Sequence, residues 1–512
     1  MLPVERPPPS RLAAPRRAPL PGVEPAAPLF ASPQGVLPML LLLLLAALLV
    51  YLPNQAQLRL ETGVRGLNVA NVLFLLTLGV LLLNHRPSPR PAPLKWPLLL
   101  FFAALTWGLL LALKGDSSAW VEDVTVYKNA LFYPLLFFLY FHAVRDLKTI
   151  RLLVLLTLLL VLTSGILGLR QALDYGIATF NDHKRVSAPF GWNLTDANRA
   201  AVYFCIYLQP VAAVALFLRS RGWLRLACAG IFVLGVFVVF HTYSRQAYGI
   251  LVVTTLLLAL RRHLVLAVLV GVALANYSLW VPETVVQRIE MTTVDPLDAT
   301  ARKPYVPPFD PLAALDRPWF ADPQLSPSSR QAGLPDAEPQ FDASTESRFL
   351  LWAGAWELIQ QHPTGIGLNR FKREIGAHVP PELHGKDAHN YYVLFATEAG
   401  ILAPLVLALL LGALLLLGHA LSRWRDDEEA RVLGIGFVMA TLAAMLGNVY
   451  GSRFVDGDVM GNYWILAALV ARALRIKEEQ RRERLAGVAA RGDAATIRPP
   501  PADVATARRG PR

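Results

Sequence analysis

Along the chain, apolar runs of about twenty residues alternate with short polar connections, and a helix of that length reaches across a hydrocarbon core about 30 Å thick. Such runs begin near Val36, Leu67, Trp96, Val124, Leu152, Ala197, Trp223, Ala247, His263, Tyr391, Val432 and Val459. The pattern predicts an all-α polytopic membrane protein of about twelve transmembrane helices. One polar stretch breaks the rhythm: roughly a hundred residues separate the ninth run from the tenth.

Composition agrees with the pattern. Of the 512 residues, 54% are hydrophobic and 17% charged, with mean hydropathy +0.42, too apolar for a chain with an ordinary water-facing surface. Lysine and arginine then orient the runs, because short loops rich in them stay cytoplasmic. Arg86, Arg90 and Lys95 mark one such loop and Arg145, Lys148 and Arg151 the next. Arg219, Arg221 and Arg225, then Arg261 and Arg262, then Arg423, Arg425 and Arg431 fall on the same side as the tail beyond Arg472. Both termini are expected inside, with the long segment on the opposite, external face. The net charge of +12 is accounted for by these loops, so no nucleic-acid partner is expected. Cys205 and Cys228 lie inside apolar runs and read as small buried hydrophobes, with no disulfide or metal spacing.

The organisation expected is a disordered cytoplasmic leader at 1–35, nine spans over 36–281, a long external loop at 282–388, three spans over 389–473 and a basic cytoplasmic tail at 474–512. The leader, rich in Pro, Ala and Arg, lacks the layout of a signal peptide, since its basic residues stand far from the first apolar run and further runs follow. Within the loop, residues 292–340 are crowded with Pro and Asp and read as irregular. The following stretch, "STESRFLLWAGAWELIQQHPTGIGLNRF", spaces Phe349, Trp352, Trp356 and Ile359 by three or four, the mark of an amphipathic helix near 345–361. Ser344 or Thr345 is placed to cap its start, and His362-Pro363 with Gly365 and Gly367 to end it.

A few polar residues stand where apolar ones are expected. Arg245, in "HTYSRQAYG", sits between two apolar runs on the side poor in basic residues; it is either a snorkelling helix-end arginine or an anion ligand. Arg348 opens the aromatic helix, either solvated or aimed with the first-turn N–H groups at an anion. His389, in "KDAHNYYVLFATEAG", stands at the mouth of the tenth run. It marks the lipid boundary, or it serves as a base kept neutral by the positive end of the helix dipole. Glu398, nine residues on, faces the opposite side and lies about 13 Å further along the axis. It reads as a buried partner for another span, which leaves Asp387, or a group from elsewhere, to hold the imidazole. The cluster at 182–199 adds Lys184, Arg185, Asp196, Asn198 and Arg199; its basic residues either neutralise an anionic substrate or belong to an ordinary solvated loop. The sequon at Asn193 carries no weight.

Taken in order, "TYSRQA", "SRFLLWAGAWELIQQHPTGIGLNRF" and "HNYYVLFATEAGILAPL" resemble the bacterial O-antigen ligase and O-antigen polymerase family of membrane glycosyltransferases. The resemblance implies a GT-C-like fold and a polyprenyl-diphosphate-linked glycan donor, usually on undecaprenyl. The acceptor it implies is a sugar hydroxyl on another glycan or on lipid A-core, and transfer inverts the anomeric centre with no cofactor, metal or nucleotide sugar. It makes Arg245 and Arg348 the diphosphate ligands and His389 the general base. Arg185, Arg199, Asp387, Asn390 and Arg370 are candidate substrate-binding residues. Membrane lipid and other polysaccharide-assembly proteins are the further partners expected. The competing reading is a transporter or flippase for an anionic or lipid-linked solute, which expects charge near mid-membrane rather than at the outer ends of spans. A third, a scaffold without catalysis, predicts no effect of His389→Ala.

Overall fold

The structure is a computed structural model that describes residues 36–58, 67–84, 91–115, 119–177, 184–191, 196–290, 293–294, 340–341 and 343–496. The leader, the sequon and nearly all of the Pro/Asp-rich part of the loop lie outside the described residues. The chain forms α1 (Val36–Leu58), α2 (Val69–Leu83), α3 (Lys95–Lys114), α4 (Trp120–Ala143), α5 (Leu147–Tyr175), α6 (Ala197–Phe217), α7 (Gly222–His241), α8 (Arg245–Arg262), α9 (Leu264–Ala275) and α10 (Glu283–Glu290). Then come α11 (Ala343–Gln361), α12 (Tyr391–Ala399), α13 (Ala403–Ser422), α14 (Glu428–Gly447) and α15 (Gly457–Thr496). A two-residue strand pair, Thr293–Val294 against Gln340–Phe341, closes the base of the long segment.

Each predicted run contains a helix, yet among the described residues nine, not twelve, are long and apolar enough to cross a membrane: α1, α3 to α7, α13, α14 and α15. The exceptions have local causes. α9 stops after 12 residues, where Asn276 turns its amide onto the Val272 carbonyl at 2.8 Å and competes with the next helical turn. α8 carries Arg245, Arg261 and Arg262 at its ends. The tenth run is cut in two. Gly400, at φ +98, ends α12 after nine residues, and α13 restarts with proline in its first turn, the usual asymmetry of helix ends. The span therefore begins at Ala403, and His389 stands before a short helix that does not cross.

The core is built around α6, 89% of whose apolar window is buried inside the protein, with α15 (83%) and α14 (67%) beside it; the remaining spans are less than half buried and turn leucines outward. Small residues set the closest crossings. A Cβ on Gly436 of α14 would stand 2.7 Å from the Pro210 Cα of α6, so only glycine lets the two backbones meet there. The helix ends sort as the charge alternation requires. Arg151 and Arg221 pair with Glu429 at 2.7 and 3.0 Å, Lys477 pairs with Asp427 at 2.6 Å, and Arg472 donates to the Val144 carbonyl. These residues share one end of the bundle. At the other end Gln57 reaches the Pro189 carbonyl, and Arg199 joins Asp456 and Asp458, each at 2.7 Å.

The long segment packs on this second end. The predicted aromatic helix is α11, and it starts at Ala343, one residue before Ser344 and two before Thr345. It is buried more widely than the stripe requires: Leu351, Ala355 and Leu358 join Phe371, Ile375, Leu383 and Ala388 in a small separate core. Arg370 fastens the loop below to the bundle by donating to the Ala112 carbonyl (2.8 Å) and to Asp123 (3.2 Å), in an ion pair whose side chains are 6% and 0% exposed.

Two stability predictions follow from this packing. Gly436→Leu should cost about 1–3 kcal/mol by overpacking, while Gly412→Leu, with nothing within 4 Å of its Cβ position, should stay within about 0.5 kcal/mol of wild type. Arg370→Ala strands a buried carboxylate and should cost about 3–5 kcal/mol. Thermal melting of the detergent-purified protein, followed by size-exclusion recovery, reads all three.

Candidate functional site

The turn that carries His389 is fixed from four sides. Asn390 caps α12, its side-chain oxygen accepting the N–H groups of Tyr392 (2.9 Å) and Val393 (3.1 Å). The Tyr391 N–H donates to the Asn448 carbonyl at 3.0 Å. The indole N–H of Trp352, from α11, donates to the Ala388 carbonyl at 2.8 Å. Asp387 accepts the backbone N–H of His389 at 2.8 Å. Together they hold His389 at φ +50, a left-handed conformation that costs a non-glycine residue about 1–2 kcal/mol. Such strain, held by surrounding bonds, is a common property of functional residues.

The ring itself makes no hydrogen bond to a described residue, so Asp387 acts on the backbone and on the local field rather than as a direct tether. Partial burial is the largest influence on the imidazole and lowers its pKa from the usual value. Asp387 pulls the other way, and Arg348, Arg453 and Lys372 lower it further. A neutral ring is the outcome near pH 7.

Beside it opens a cavity of about 610 Å³. Arg185, Arg245, Arg288 and Arg348 line it, with Asn198, Ser244, Gln246, Ser344 and Thr345. Four elements bring the arginines together. Arg245 is the first residue of α8, and its neighbour Gln246 is tied to the Leu446 and Gly447 carbonyls at the end of α14 (3.1 and 2.8 Å). Arg185 comes from residues 184–191, held by its bonds to the Thr242 carbonyl and the Asn198 side chain, both 2.8 Å. Arg288 comes from α10 and Arg348 from α11. The Arg348 guanidinium lies 5.7 Å from the centre of the Tyr450 ring, and Trp352 packs on the same ring at 5.5 Å. That ring links the cavity to the His389 turn. Lower down, Ile250, Val253, Leu446 and Val449 give the cavity an apolar wall. The arrangement suits a polyanion on a greasy stem, since guanidinium groups match phosphate oxygens in pairs.

Of the residues singled out from sequence, Arg185, Arg245 and Arg348 share the cavity and His389 adjoins it through Arg348. The others stand apart from it. Arg199 is enclosed by Asp196, Asp456 and Asp458 and lies over the Phe190 ring at 5.3 Å. Arg370 is the buried tie to Asp123, and Asn390 and Asp387 serve the His389 backbone. Glu398 is buried, but its partner is not a span: it accepts the Phe371 N–H at 3.3 Å, and burial pushes its carboxyl up to about 8. Sequence reasoning missed Arg288, which sits in an unremarked short helix, and the whole 448–456 connection, whose Ser452 and Arg453 approach the His389 turn. A dense polar string between the last two apolar runs, "NVYGSRFVDGD", was the available signal.

Comparison with known proteins is consistent with this geometry. Residues 230–408 match the family model described as O-antigen ligase, and no curated protein matches the chain. The matched third of the chain runs from α7 into the first turn of α13 and contains Arg245, Arg288, Arg348 and His389. Through this segment the chain is similar to the O-antigen ligase family.

Proposed function

We propose that the protein transfers a glycan from a polyprenyl-diphosphate-linked donor to a sugar hydroxyl at the periplasmic face of the inner membrane, as an O-antigen ligase or polymerase. The match to the family model supports the coarser statement, a role in cell-surface polysaccharide assembly. The observation that supports the finer one is the convergence of Arg185, Arg245, Arg288 and Arg348 on one cavity, next to a histidine kept neutral.

In this reading the donor diphosphate lies among the arginines and its polyprenyl chain follows the apolar wall. The acceptor oxygen attacks the anomeric carbon and its proton passes to the His389 ring. The bond from that carbon to the diphosphate oxygen breaks, and the electron pair leaves with the diphosphate. Fixed guanidinium groups stabilise the charge that develops there. Attack opposite the leaving group inverts the anomeric centre. Acceptors of both kinds, lipid A-core and a second lipid-linked glycan, present the same hydroxyl to the same base. A transporter would need its charged groups along a path through the bundle; here the arginines gather at one end, which favours surface chemistry.

Purified protein in lipid nanodiscs, given lipid-linked donor and each acceptor in turn, should form a new glycosidic bond. His389→Ala should lower turnover by about 10²–10⁴-fold, and Arg245→Ala or Arg348→Ala by about 10²–10³-fold. Wild-type rates against these variants at saturating donor decide the assignment; an unchanged rate in His389→Ala would sink the base. The pH dependence has a definite sign. The base works only when neutral, so activity should be level near pH 7 and fall as pH drops through the His389 pKa, which lies below the usual histidine value of about 6.5.

A further inference from the structure

The connection between α14 and α15, residues 448–456, lies outside the family match and wraps the His389 turn. Its backbone is ordered by Asn448, which accepts the Arg453 N–H on its side-chain oxygen at 2.9 Å and donates its amide to the Ala444 carbonyl at 2.8 Å. The next contacts reach the candidate base. The Ser452 hydroxyl donates to Asp387 at 2.6 Å, and the acceptor is the same carboxylate oxygen, Oδ1, that takes the His389 N–H at 2.8 Å. Arg453 follows, mostly buried, with its guanidinium 3.5 Å from Asp456.

We propose that Ser452 and Arg453 are positioning residues for His389: Ser452 holds the Asp387 carboxylate on the backbone of the strained turn, and Arg453 stands as a fixed cation beside it. This inference rests on the reading of His389 as the proton acceptor. Its physics is specific. A carboxylate two residues from an imidazole is free, by rotation, to approach the ring and hold it protonated, where it cannot act as a base. With one oxygen occupied by Ser452 and the His389 N–H, that rotation costs two hydrogen bonds, at least one of them to a charged acceptor and so stronger than a neutral pair. The charged groups facing the ring are Asp387 from its own segment, Arg348 from α11, Lys372 from the helical turn at Phe371–Glu374, and Arg453. Burial is the largest influence on the ring, and the three cations add to it against one carboxylate; Arg453 is the one that belongs to neither the loop nor the arginine cavity.

Diethyl pyrocarbonate modifies only neutral imidazole, so peptide mass spectrometry of the intact protein in nanodiscs, from about pH 5 to 8, reads the titration of His389 whether or not substrate is known. Arg453→Gln should raise the midpoint by about half a unit or more, and Arg453→Lys should leave it in place. Ser452→Ala should raise it as well and, in the transfer assay, lower kcat about tenfold with donor KM unchanged; Ser452→Thr should restore both. A midpoint unmoved in Arg453→Gln and Ser452→Ala overturns the inference. Should Arg453→Gln fail to accumulate in the membrane, the Ser452→Ala titration alone decides. A wild type that titrates as described but transfers no glycan overturns the proposed function and leaves the positioning intact.

Discussion

A helix of nine residues leaves a large share of its backbone carbonyls without partners inside itself, and at the edge of a bilayer such groups must be satisfied by protein. In α12 the loop after α11 does this. The N–H groups of Ile366 and Gly367 donate to the Thr397 and Glu398 carbonyls, both at 3.0 Å, and Ile401 returns a bond to the Pro363 carbonyl at 3.0 Å. The match is close enough that Gly365 has no room for a side chain: a Cβ there would lie 2.6 Å from the Glu398 carbonyl oxygen. Leu368 then bonds the Gly108 carbonyl of α3 at 2.8 Å. These backbone bonds anchor the C-terminal end of α12, and with it the axis along which the His389 turn is presented.

Charge is divided between two uses. One set of arginines is clenched by carboxylates: Arg199 by three of them, Arg370 by Asp123, Arg373 by Glu122 at 2.8 Å. Each ties a loop to a helix end and stays away from the cavity. The other set, Arg185, Arg245, Arg288 and Arg348, comes from four separate elements and lines one cavity. The same residue type thus serves architecture where it ties a loop to a helix end and, in the function proposed above, anion recognition where several of its kind converge. The distinction depends on neighbours distant in sequence.

That is why the fold was more legible than the site. Every apolar run did mark helix, with nine helices among the described residues long and apolar enough to cross a membrane, because burial in lipid writes itself into every residue of a span. Their lengths were harder to read, since Asn276 and Gly400 end helices by single side-chain or backbone events inside runs that remain apolar. The "EAGILAP" stretch did carry a readable break, glycine and then proline around a helix end. Arg245, Arg348 and His389 stood out because each interrupts an apolar or aromatic pattern. Arg199 and Arg370 stood out equally and proved to be structural ties, as their partners Asp456 and Asp123 lie more than two hundred residues away. Arg288 and Ser452 sit among ordinary polar neighbours, where only the folded chain reveals what they face.

The left-handed backbone at position 389 sets stability and chemistry against each other. Glycine would relax that turn without steric cost, and asparagine would tolerate it better than most residues. A selection for thermal resistance alone would therefore drift away from histidine at this position. Any stabilised derivative of the protein obtained without an activity filter is prone to lose the imidazole first, and a gain in melting temperature traced to residue 389 would be a warning rather than a success.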